Sequence, residues 1–312
     1  MVLAMSTITD PAVSAPGSVE RSPSPTRKEH TMTTVDLAPS GAIAPARHRP
    51  LQIAPETWVI QATQGEGTAP LAVHLNALVI RGREPIVVDT GAPVHREQFL
   101  QDLFAIVEPT DVRWVFISHD DADHFGNAAA VMDACPNATL VATWFLCERL
   151  ACEGFPVPPA RWRWVAAGES LDAGDRRLVA VRPPLYDSPT TRGLFDRATG
   201  VYWASDCYST PVERGTAFVS ELDAGFWAEG FVSFQTWNSP WVSMVDRRAF
   251  SAACRQIEQL GVTAIATGHG PTIGAESLAT AFAMMHDLPV AEVPPQPGQA
   301  VLDELLALPT TG

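Results

Sequence analysis

No apolar run in the chain approaches the roughly 20 residues of a membrane-crossing helix, and the first residues lack the basic-then-apolar order of an export signal. A cytoplasmic location is therefore expected. Basic residues are scarce: 21 Lys and Arg stand against 35 Asp and Glu, a formal charge of −14. Such a field, with no Lys/Arg cluster to offset it, repels phosphate backbones and anionic lipid surfaces, so neither nucleic acid nor membrane is an expected partner. Cysteine is sparse as well. The five residues, Cys135, Cys147, Cys152, Cys207 and Cys254, form an odd set with no CxxC pair. That excludes a disulfide-stapled scaffold and predicts reduced, buried thiols. No internal repeat is found.

What is present is apolar material: 312 residues, 46% hydrophobic and 18% charged, enough for one large core or two modest domains. Residues 1–50 are rich in Pro, Ser, Thr and Ala and cannot bury enough surface to offset chain entropy, so they read as a disordered leader. Met32 lies inside it as an alternative translation start. Residues 51–290 read as the folded domain and 291–312 as a tail, with Val301–Leu308 a short helix that could dock. Within the domain, Thr57–Ile60, Leu75–Ile80 and Ile86–Val88 predict an antiparallel meander. Apolar residues at Phe99, Leu100, Leu103, Phe104 and Val107 predict a helix, and Trp114–Ile117 a strand buried on both faces. Helix Ala128–Ala134 and strand Ala138–Thr143 follow. In the second half, Leu178–Val181, Gly193–Phe195, Val201–Ala204 and Ala264–Ala266 read as strands, and Arg247–Leu260 and Ala275–His286 as helices. Polar clusters fall just past strand ends, where a rigid sheet holds functional loops.

The densest cluster is His119-Asp120-Asp121-Ala122-Asp123-His124. Three acids and two imidazoles in six residues, directly after a buried strand, repel and desolvate one another unless a cation neutralises them. The alternative is a solvated acidic loop. Asp120 is expected to point away from Asp121, to solvent or to a supporting hydrogen bond.

This run resembles the HxHxDH strand-end motif of the metallo-β-lactamase superfamily, with Asp121 in place of the second His. Asp89-Thr90-Gly91 resembles that superfamily's early turn, Ser205-Asp206 its metal-bridging Asp, and Gly268-His269-Gly270-Pro271 its last His-bearing turn. The resemblance implies an α+β fold: an αββα sandwich of two mixed β-sheets flanked by helices. It also implies two metal ions. His119, Asp121, Asp187 and Asp206 would hold one, and Asp123, His124, Asp206 and His269 the other, with Asp89 ordering the motif loop. Asp187 is placed by counting back from Gly193; a second alignment puts that ligand at Pro184 and loses it.

Four carboxylates against two divalent ions give a formally neutral site, and hard oxygen donors with few imidazoles favour iron, with zinc or manganese also able to bind. An acid at the second position is similar to the flavodiiron and oxygen-binding diiron branch, whose motif is HxExDH. A diiron protein that binds O2 or acts as an oxidoreductase is thus the leading expectation, with electrons from a separate donor. A hydrolase of ester, thioester, lactone or phosphodiester bonds, with Asp123 orienting the nucleophile, is the alternative. A binding protein without catalysis is the third. Either enzyme takes a small molecule, and Arg192 is a candidate clamp for a substrate anion. Trp227, Trp237 and Trp241 are expected to line the pocket or fill the core. His74, Asn76 and His95 are expected to be structural or exposed and not ligands, and Cys207 to point away from the site.

Overall fold

Alternating side chains along the buried strands divide the apolar residues between two sides. In Val73–Ile80, Ala77 and Val79 pack toward one layer of helices while Leu78 and Ile80 face the opposite way. A computed structural model describes residues 46–66, 71–296 and 298–307. Its strands are β1 (Ala46–Arg47), β2 (Leu51–Ala54), β3 (Thr57–Gln64), β4 (Val73–Ile80), β5 (Ile86–Val88), β6 (Trp114–Phe116), β7 (Thr139–Ala142), β8 (Trp162–Trp164), β9 (Ser170–Asp172), β10 (Arg177–Val181), β11 (Gly193–Asp196), β12 (Val201–Trp203) and β13 (Ala264–Ala266). The helices are α1 (Arg96–Ile106), α2 (Ala122–Phe125), α3 (Ala128–Ala134), α4 (Trp144–Cys152), α5 (Ala224–Asn238), α6 (Arg247–Glu258), α7 (Leu278–Asp287) and α8 (Gln299–Ala307).

One sheet runs β1-β3-β4-β5-β6-β7-β8, with β2 also on β3; it is antiparallel up to β5 and parallel from β5 to β8. The other runs β13-β12-β11-β10-β9, antiparallel except for the parallel β12–β13 pair. Both sheets are mixed. A core of Leu78, Ile86, Val88, Phe116, Val141, Leu194 and Trp203 fills the space between them. Phe99, Leu103, Val131, Met132 and Leu146 bury α1, α3 and α4 on the first sheet; Phe231, Phe250, Cys254, Ile257 and Met285 bury α5, α6 and α7 on the second. The αββα expectation is met.

Most predicted elements occur within a few residues of their expected ends. Two long helices do not appear in the sequence reading. α4 begins where strand Ala138–Thr143 was expected to end, with Thr143 Oγ1 accepting from Leu146 N at 3.2 Å. α5 is rich in aromatics and glycine, poor helix formers. Burial of Trp227, Phe231 and Gln235, and a cap from Asp223 to Gly225 N and Phe226 N, hold it. Ala275–Ser277 is a 3-10 turn, so α7 starts three residues later than expected. Ala46–Arg47, within the span read as a leader, pairs with β3; residues 1–45 of the expected leader lie outside the described residues. Val301 of α8 is 41% exposed. Four cysteines are buried, but Cys152, expected to be so, ends α4 on its exposed side. No helix among the described residues is long and apolar enough to cross a membrane.

Candidate metal centre

Every polar cluster singled out from the sequence lies at one end of the sandwich, past the last residues of β5, β6, β12 and β13 and on the β10–β11 loop. After β6 the chain delivers the buried His119, then Asp121 at the N-cap of α2. Asp121 makes no capping bond, which leaves its carboxylate free to face His119. One turn of α2 carries Asp123 and returns His124 to the interior. Thr90 N and Oγ1 both donate to the His124 carbonyl, and Asn127 Nδ2 donates to the carbonyls of Thr90, Gly91 and Ala92, so the early turn and the motif loop form one body.

Two donor sets meet at Asp206. Its Oδ1 lies 2.9 Å from His124 Nε2 and 3.3 Å from His269 Nε2, and Asp123 Oδ2 lies 3.3 Å from His269 Nε2. Its Oδ2 lies 3.6 Å from His119 Nε2, which is also 3.6 Å from Asp121 Oδ2 and 3.8 Å from Asp187 Oδ2. His119, Asp121 and Asp187 form one group able to hold an ion, Asp123, His124 and His269 another, and His119, His124 and Asp206 a third between them.

The imidazoles are oriented for a cation. His124 Nδ1 faces Asp89 Oδ2 at 2.8 Å and His269 Nδ1 faces the His74 carbonyl at 2.9 Å. Both partners only accept, so both Nδ1 atoms donate, and in the neutral rings the lone pairs lie on Nε2. Those two Nε2 atoms stand 3.2 Å apart, and buried His119 Nε2 has no hydrogen-bond partner among the described residues. Two lone pairs facing each other beside carboxylates need a cation between them, so the residues present fit a pair of metal ions. Without metal, protons take that place. Burial disfavours charge on His124, but Asp206 and Asp89 outweigh it and hold the ring well above the usual histidine range. His119 and His269 are raised by the same balance. Burial likewise pushes Asp206 up, but the three imidazoles hold it well below the usual carboxylate range. Burial, then Asp206, pushes Asp187 up, whereas the nearby His119 imidazole holds Asp121 low.

The support around these donors is buried. Asp89 accepts from Ser118 N and Oγ at 2.7 Å each and from Trp203 Nε1 at 3.1 Å, besides His124. Asp89 and Ser205 take positive φ values of 59° and 56°, a strained conformation for non-glycine residues that the surrounding contacts impose. Gly268 must be glycine: a Cβ there would come 2.5 Å from His124 Cε1 and 3.2 Å from Asp206 Oδ1.

Asp120 does turn away, to Arg149 NH1 at 2.6 Å and Thr190 Oγ1 at 2.7 Å, and so ties α4 and the Asp187 loop to the motif. Arg192 is not brought to the donors. Its NH1 bonds the Thr191 carbonyl, and no carboxylate among the described residues is within ion-pair distance. Trp227 packs in the core, Trp237 donates to the Pro294 carbonyl, and Trp241 donates to the Tyr186 carbonyl beside Asp187. Cys207 points into the core, as expected.

Asn76, named in the sequence reading as a non-ligand, and two residues of α5 that escape that reading also brace the site. Asn76 Nδ2 donates to the carbonyls of Thr267 and Gly270 at 2.8 Å each, gripping the His269 turn across 191 and 194 residues of chain. From α5, Gln235 donates to the Asp206 and Ser209 carbonyls at 3.1 Å, and Asn238 Nδ2 reaches Asp206 Oδ2 at 3.4 Å. Only the Asp223 cap signals that helix in the sequence.

The fold matches solved structures of the flavodiiron protein from Giardia intestinalis and of rubredoxin oxygen:oxidoreductase from Desulfovibrio gigas. The first has a TM-score of 0.66 at 18% identity, covering 78% of this chain and 60% of that one. The second has 0.63 at 16%, covering 77% and 61%. In sequence, diflavin flavoprotein A 1 of Synechocystis is 24% identical over 200 residues, 64% of this chain and 34% of the relative. The anaerobic nitric oxide reductase flavorubredoxin of Vibrio vulnificus is 23% identical over 168 residues, 53% and 34%. The chain spans about a third of the length of the curated diflavin flavoproteins it matches. Residues 73–270 match the ODP family beta lactamase. That match runs from β4 through the His269 turn and takes in all the loops described above: the chain belongs to the ODP family of β-lactamase-fold proteins.

Proposed function

We propose that this protein holds two iron ions and works as an oxidoreductase on a diatomic gas, O2 or nitric oxide, with electrons from a separate redox partner. The observation that carries the proposal is the single buried carboxylate of Asp206, whose two oxygens face two different donor sets while His124 and His269 are locked with Nε2 inward. Such a pair of ferrous ions supplies electrons and an open coordination position for the gas. His119, Asp121, Asp187 and Asp206 hold one ion; Asp123, His124, Asp206 and His269 hold the other. Carboxylates at Asp121 and Asp187 favour iron over an imidazole-rich zinc site. The half-exposed Asp121 marks the open side of the pair, and Asp89 and the His74 carbonyl keep the ring edges in place. The relatives support the redox reading, since they include flavoproteins, nitric oxide reductases and a rubredoxin oxygen:oxidoreductase.

Purified protein is expected to carry iron, two ions per chain by mass spectrometry, with an absorption spectrum that changes on reduction and on exposure to air. A colourless protein holding only zinc, with ester hydrolysis that persists without oxygen and disappears in Asp123→Ala, would replace this reading with a hydrolase.

A further inference from the structure

Two arginines stand where the β10–β11 hairpin opens into the loop that carries Asp187. The ladder pairs Val181 with Gly193, so the next residues along the two strands are Arg182 and Arg192. Like charges placed opposite each other across a hairpin are destabilising. In a chain with a charge of −14 they would be expected to recruit acids. Among the described residues, neither has a carboxylate within 4.0 Å. Asp187 faces His119 instead. Arg192 is half-buried; among the described residues its Nε has no hydrogen-bond partner and its one side-chain bond is NH1 to the Thr191 carbonyl at 2.6 Å. Its backbone N donates to the Ser118 carbonyl at 2.9 Å, which fixes it beside the motif loop. Burial, and then the charge of Arg182, push Arg192 below the usual arginine range. Alongside, the Arg182 guanidinium lies 5.9 Å from the Tyr186 ring, which is 5.2 Å from the Trp241 ring. The cations thus adjoin an aromatic surface.

We propose that Arg182 and Arg192 form a binding site for an oxyanion, carboxylate or phosphate, of a small organic molecule whose apolar part lies along Tyr186 and Trp241. An anion here would relieve the repulsion between the two cations and sit next to the loop bearing Asp187. Placing that molecule beside a redox centre rests on the diiron reading; the anion site itself does not.

The test measures inorganic phosphate and benzoate against the intact protein of known metal content, by calorimetry and by thermal shift relative to chloride at matched ionic strength. One of the two is expected to bind and raise the melting temperature, phosphate marking a phosphoryl group and benzoate a carboxylate. Arg192→Gln and Arg182→Gln are each expected to weaken that binding about tenfold, one charge-assisted contact. Without anion, Arg182→Gln is expected to be no less stable than the parent. Should Arg192→Gln fail to fold, Arg182→Gln, on an exposed side chain, carries the comparison. No binding of either anion, or binding that follows metal content and is unchanged in Arg182→Gln, overturns the proposal. Binding to metal-free protein that is lost in Arg182→Gln supports it whatever the metal proves to be.

Discussion

The two donor sets that share Asp206 are built to different standards. Around His124 and His269, both ring edges are tied from behind and four of the five facing pairs come within 2.9 to 3.3 Å, with only Asp123 Oδ2 standing off His124 Nε2 at 3.8 Å. Around His119, the partners stand 3.6 to 3.8 Å away, and Asp121 and Asp187 are 56% and 16% exposed. The first set is imidazole-rich and preorganised; the second is carboxylate-rich and open. Prior orientation reduces the ordering cost of binding, so the His124 set should fill first and hold its ion more tightly. The open set is then where a small molecule gains access, which separates retention of metal from reactivity within a few ångströms.

The largest effect should come from the shared residue. Asp206→Ala is expected to lose both ions on dialysis against a chelator; one full equivalent left behind would show that the sets do not depend on a common carboxylate. Next is Asp89→Ala, which strands His124, Ser118 and Trp203 in the interior. Removing one partner of a buried charged network costs about 3–5 kcal/mol, read by urea unfolding of metal-free protein, and loss of such a supporting contact lowers metal affinity about 10–100-fold. A cost under about 1 kcal/mol would mean that the tie behind His124 is not what distinguishes the sets. Asp187→Ala should act more narrowly. Metal content is expected to fall toward one ion with the metal-free unfolding midpoint nearly unchanged, whereas loss of both ions would erase the proposed order of affinities.

The smallest predicted effect is on pH dependence. Burial lowers His74 to about 4 from an ordinary 6.5. The unfolded chain therefore takes up a proton that the folded one refuses, and stability is lost as pH falls from about 6.5 toward 4. His124, raised by Asp206 and Asp89, has the opposite sign: its contribution in metal-free protein is complete below 6.5 and declines as pH rises. The difference in unfolding free energy between the parent and His74→Gln isolates the first effect. It should shrink on acidification; a constant difference from pH 7 to about 4 would show that His74 is not neutral in the fold.

How much could be foreseen follows from how local each signal was. β6 and the motif behind it are contiguous, so the apolar strand and its load of acids and imidazoles are visible together. α6 was visible because Phe250, Cys254 and Ile257 recur on one face. α5 was not, because its aromatics and glycines carry weak helix propensity and its stability comes from packing on the second sheet. Arg192 illustrates the limit of proximity in sequence: it lies five residues from Asp187, yet the hairpin register sets it against Arg182.

The sequence by itself supplied candidate metal donors and strand ends to present them, because those depend on residue type and short-range pattern; that Asp121 and Asp187 stand at imidazole positions is what the family resemblance implies. Only the tertiary structure decided that Asp206 divides its oxygens between two sets, that Asn76 and α5 brace the turns, and that one set is locked while the other is open. These depend on contacts between residues tens to nearly two hundred positions apart, such as Asn76 with Gly270. Packing of the two sheets, which no local pattern encodes, brings such residues together.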